Sequence, residues 1–139
     1  MKNIKKIIFT IFSFFIVSAC SNPSVKEDLQ ENNWNVVQSD GNSGEAEFAD
    51  DTVIFYSSNA LTMTTGHQYT LNEDETEITL TRDKPSYTGN ESEKVVMKYT
   101  IEKKDNEYLL TLISDSSGES EKGFTITLIP QEAESTNEN

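Results

Sequence analysis

Between Glu93 and Leu112 the apolar residues fall on every second position. Val95, Met97, Tyr99 and Ile101 alternate with Val96, Lys98, Thr100 and Glu102; Lys104-Asp105-Asn106 intervenes, and Tyr108, Leu110 and Leu112 resume the beat. Successive side chains of an extended chain point to opposite faces, so a period of two gives one face to a core and the other to water. A helix would need a period near 3.6, which this stretch lacks. It reads as two long strands joined by a short turn.

The same pattern runs back to Trp34 and forward to Pro130. Trp34 and Val36 flank Asn35, and Ala46 and Phe48 alternate with Glu45 and Glu47. Val53 to Tyr56 and Leu61 to Met63 lie on either side of Ser58-Asn59. Tyr69 and Leu71 precede Asn72-Glu73-Asp74, Ile78 and Leu80 alternate with threonines, and Phe124, Ile126 and Leu128 alternate with Thr125 and Thr127. Asp40-Gly41 and Asp50-Asp51 mark further turns. Eight or nine short strands with hairpin-length connections describe an antiparallel meander. Open edges on such a sheet would template aggregation, and closure into an up-and-down barrel removes them. The expected fold class is therefore all-β.

The order Trp34-x-Val36, Asp40-Gly41, Phe48, Asp50-Asp51 and a tyrosine, followed by paired strands, resembles the small lipocalin-like domains of Gram-positive lipoproteins over roughly Leu29 to Pro130. The resemblance implies a lipocalin-like barrel that binds a small apolar ligand. Two positions depart from the family's pattern: Asn32 stands where lipocalins have glycine, and the only arginine is Arg82 rather than one near the last strand. Trp34, Phe48, Phe55, Tyr69, Met97, Tyr99 and Phe124 could line a cavity, but a domain this small barely buries enough surface to fold, so a packed core is expected for them.

The amino-terminal end differs in kind. Lys2, Lys5 and Lys6 precede the uncharged run Ile7 to Val17, and small residues follow at Ser18 and Ala19, the layout of a secretory signal peptide. Eleven residues of helix span only ~17 Å, against a hydrocarbon core of ~30 Å. Val17-Ser18-Ala19-Cys20 resembles the lipobox of bacterial lipoproteins. That resemblance implies a diacylglyceryl thioether on Cys20 Sγ and cleavage between Ala19 and Cys20. The alternative is an ordinary signal peptide with an unmodified cysteine. Two acyl chains suffice for stable anchoring, so the expected location is the extracytoplasmic face of the cell membrane. Cys20 is the only cysteine, so the domain folds without a disulfide.

Ser24-Val25-Lys26-Glu27 is a capping-box pattern, and Val25 and Leu29 share a face, which predicts a helix over Val25 to Glu31 ended by Asn32-Asn33. The expected organisation is a signal peptide over 1–19, a lipid-anchored tether and short helix over 20–31, the barrel over 32–130 and a disordered acidic tail over 131–139.

Three of the eleven basic residues lie in the signal region and every acidic residue lies after it, leaving eight against 24. Such a surface repels nucleic-acid phosphates, and a monomer that binds no nucleic acid is expected. His67, the sole histidine, lies beside Gly66 at an expected strand start and is read as an exposed turn residue. Alone, it cannot build a usual zinc site. Asn72-Glu73-Asp74-Glu75 is read as a solvated turn and Ser114 to Lys122 as a hairpin loop. No nucleophile with a partner base, no acid–base pair and no metal cluster is apparent, so neither catalysis nor a cofactor beyond the Cys20 lipid is expected. The segment Arg82 to Lys94 is read as a thirteen-residue connection that gathers Arg82, Lys84 and Lys94 around Tyr87. It is the candidate partner loop if the domain docks an envelope protein, for example as an immunity, exclusion or inhibitor factor, instead of binding a small ligand.

Overall fold

The alternation becomes eight antiparallel strands closed into a barrel. A computed structural model describes residues 22–58, 64–84 and 93–132, in which helix α1 (Val25–Glu31) precedes β1 (Asn33–Gln38), β2 (Ser43–Phe48), β3 (Thr52–Ser57), β4 (Thr64–Leu71), β5 (Glu77–Lys84), β6 (Glu93–Lys104), β7 (Glu107–Asp115) and β8 (Thr125–Pro130). Each strand pairs with its neighbours in sequence, and β8 returns to β1 with Val36 opposite Leu128 and Trp34 opposite Pro130. Both edges of every strand are thereby satisfied within one set of strands. The core described is drawn from Leu29 to Leu128. Leu61 to Met63 and the tail beyond residue 132 lie outside the described residues.

Up-and-down connectivity gives the barrel two unlike ends. At one end α1 lies across the floor. Its amino terminus carries the capping box, Ser24 Oγ accepting from the Glu27 amide at 3.1 Å and Glu27 accepting from the Ser24 amide at 3.0 Å. Leu29, fully buried, points into the barrel, and its carbonyl accepts a hydrogen bond from Trp34 Nε1 at 2.9 Å. Trp34 packs edge-on against Tyr108 at 5.5 Å between ring centres, and Phe48 meets Tyr69 in the same manner at 5.2 Å. With Val53, Ile78, Leu110 and Leu128, these side chains fill the lower half of the barrel.

The turn Asn72–Glu75 is not merely solvated, as its composition suggests. Glu75, at φ 55°, turns its carboxylate to the helix, where it accepts the amides of Val25 at 2.9 Å and Lys26 at 3.3 Å. Those amides have no intrahelical partner, and a negative charge at a helix start is favourable.

Gly44 allows β2 and β3 to approach closely. A Cβ there would run into the Tyr56 carbonyl oxygen.

Candidate functional site

Among the described residues, the other end of the barrel is open. Above the packed floor the inward positions carry Phe55 of β3, His67 of β4, Leu80 and Arg82 of β5, Met97 and Tyr99 of β6, and Ile126 of β8, with Phe124 just ahead of it. They surround a cup of about 900 Å³, within the range of small-molecule sites. Phe55, Met97 and Phe124 pack on the core with one side and stay half-exposed on the other. The expectation of a wholly packed interior thus holds for Trp34, Phe48, Tyr69 and Tyr99 but not for these three. The cause is the plug: α1 brings Leu29 to the lower end only, and among the described residues no helix does the same for the upper.

The cup wall is completed by the segment after β7. A bulge between β6 and β7 shifts the register, so that Tyr99 faces Leu112 but Met97 faces Asp115. The extra residue re-aims Asp115. Its carboxylate accepts the Ser117 amide at 2.8 Å, the Ser117 hydroxyl at 2.6 Å and the Ser120 amide at 3.0 Å. Burial pushes the Asp115 carboxyl up, but these bonds outweigh it and hold it below the ordinary carboxylate range. The hairpin loop read from composition is therefore a fixed strap, and it carries Glu119 to Arg82, 3.3 Å away, and to Lys84, 3.9 Å away. Tyr99, below it, donates to Met97 Sδ at 3.7 Å, and burial aided by the Asp115 charge pushes its hydroxyl up to about 12.

His67 corrects its sequence reading most. It occupies the middle of β4, not a turn, and is 8% exposed, the only buried polar or charged side chain among the described residues. The strand starts three residues earlier than Gly66-His67 suggests, which puts His67 on the inward face with Tyr69. Its ring stands edge-on to Phe55 at 5.6 Å, and Nδ1 meets no hydrogen-bond partner. Burial, and then the Arg82 charge, push the imidazole down to about 4, with the Thr65 backbone opposing weakly. The ring is neutral at physiological pH.

The basic residues read as one loop stand on the paired ends of two strands. Arg82 and Lys84 end β5 and Lys94 starts β6, with Asp83 opposite Lys94 and Lys84 opposite Glu93, so the connection is shorter than thirteen residues. Arg82 faces the cup and, with Lys94, Ile54, Gly66 and Thr81, also borders an outer groove of about 460 Å³, while Lys84 reaches Glu119. Tyr87 lies outside the described residues, as do Ala19 and Cys20. Among the described residues, no group of three or more His, Cys, Asp or Glu is placed to hold a metal ion. No family model matches the chain, and neither does any curated protein or solved structure.

Proposed function

We propose that the chain is a lipid-anchored extracytoplasmic protein whose barrel binds a small, largely apolar molecule in the cup. The observation that carries this reading is the unequal filling of the barrel. A fold that needed only stability would gain by closing both ends, yet the upper half keeps Phe55, Met97 and Phe124 half-exposed around a buried His67 with an idle nitrogen. A buried polar atom without a partner costs roughly 1–3 kcal/mol, a cost that a ligand hydrogen-bonded to it would offset.

The anchor fits this arrangement. Asn22 to Ser24 lead into α1 at the closed end. Cys20 stands four residues before Ser24, a reach of at most ~14 Å. A lipid on Cys20 would hold the closed end toward the bilayer and leave the mouth facing away from it, so the ligand would arrive from the aqueous side.

The reading is tested in two parts. Cys20→Ala leaves the protein unprocessed or released from the membrane, and mature membrane-held protein in that variant would refute the anchor. A ligand of the cup raises the melting temperature of the wild-type domain by mass action and fails to do so once Met97→Trp fills the cup.

A further inference from the structure

Arg82 is an unusual residue to find on the inward face of this barrel. The two inward positions before it on β5 are Ile78 and Leu80, both buried, so the guanidinium caps an apolar stripe and lies near enough to His67 to depress its basicity. Among the described residues the Arg82 guanidinium meets one side-chain partner, Glu119, through a single contact of 3.3 Å. The Glu119 side chain is itself 58% exposed. An exposed ion pair of this kind contributes little, so it is readily exchanged. On the neighbouring strand His67 lines the same cup, with its side chain more than nine-tenths buried and its Nδ1 unpartnered.

Resting on the reading of the cup as a ligand site, we propose that Arg82 and His67 form an anion seat which Glu119 partly fills in the empty barrel, so that the cup takes an apolar molecule bearing one anionic group. The ligand's carboxylate, sulfonate or phosphate oxygens displace the Glu119 carboxylate from Arg82 and accept from the guanidinium; with its proton on Nδ1, the neutral imidazole donates a second bond. The exchange conserves charge at Arg82, and Glu119, mostly in water already, is freely solvated on release. Burying the anion beside a fixed cation in a drier setting makes the new pair stronger than the one it replaces. The acidic residues at the rim, Asp40 and Glu121 among them, argue against a polyanion, and the side chains of Phe55, Leu80, Met97 and Phe124 on the wall argue against an inorganic ion alone.

The test uses two fluorescent probes that share an aromatic body, 8-anilinonaphthalene-1-sulfonate and the uncharged N-phenyl-1-naphthylamine, titrated into residues 22–139. The wild type binds both. Arg82→Gln weakens the sulfonate by about tenfold or more, the loss expected for one charged hydrogen bond, and leaves the neutral probe within about twofold. Glu119→Gln, which removes the competitor without touching the core, tightens the sulfonate and leaves the neutral probe unchanged. If both probes bind and neither substitution separates them, the anion seat is wrong and the cup stands. If neither probe binds, or if both persist in Met97→Trp, the cup reading fails and the seat with it.

Discussion

Tyr108 Oη donates to Asp28 Oδ2 at 2.6 Å, joining α1 to β7 across eighty positions of sequence. Lys103 Nζ reaches the same oxygen at 2.7 Å, and Asn32 donates to the other at 3.1 Å. Burial pushes the Asp28 carboxyl up, but its bonds from Lys103 and Tyr108 prevail and hold it below the ordinary range. Burial and the Asp28 charge push the Tyr108 hydroxyl well above its ordinary value. The barrel floor is thus closed by packing and fastened by two carboxylates, Asp28 of α1 and Glu75 at the helix start.

Asp28→Ala should lower stability by about 2 kcal/mol, since it removes charged hydrogen bonds and strands Tyr108 Oη. Tyr108→Phe should cost less, because Lys103 and Asn32 still serve Asp28. Urea denaturation followed by the fluorescence of Trp34, the single tryptophan, measures both.

His67 makes stability depend on pH in a defined window. Its folded pKa, about 4, lies below the ordinary histidine value of 6.5, so between these values the unfolded chain binds a proton that the folded chain does not. The linkage relation then gives stability that rises with pH through that interval, and is lost as pH falls from 6.5 towards 4, by about 3 kcal/mol. His67→Gln should flatten the profile between pH 6.5 and 5.5. An unchanged slope would show that the imidazole is not the cause.

Two strand glycines should respond oppositely to one methyl group. Gly44→Ala meets the Tyr56 carbonyl oxygen and should cost about 1–3 kcal/mol. Gly66→Ala meets nothing within 4 Å, so it should be neutral or slightly stabilising, because alanine has less freedom to lose on folding. Thermal unfolding of the two variants side by side tests the contrast.

Much of the fold was legible because each of its causes is local. The period of two at Val95 to Ile101 and Tyr108 to Leu112 placed β6 and β7, and Ser24 with Glu27 placed α1. Long-range facts were not. Nothing near Glu75 indicates that its carboxylate caps a helix fifty residues earlier. The turn-like neighbourhood of His67 hid an inward position that appears only once β4 is registered against β3 and β5. Arg82, Lys84 and Lys94 looked like a loop because the charged run shows no apolar alternation, and their place on strand ends follows from the length of the β5–β6 ladder. One signal was available: Ile78, Leu80 and Arg82 share one strand parity, which puts the arginine over the apolar stripe.

The most direct test of a barrel packed at one end and receptive at the other is to titrate isotopically labelled residues 22–139 with N-phenyl-1-naphthylamine while following chemical shifts. Saturable shifts confined to His67, Leu80, Met97, Tyr99 and Phe124, with Leu29, Trp34 and Tyr108 unmoved, are the predicted result. Saturable binding that perturbs the floor instead, or no saturable binding at all, would contradict it.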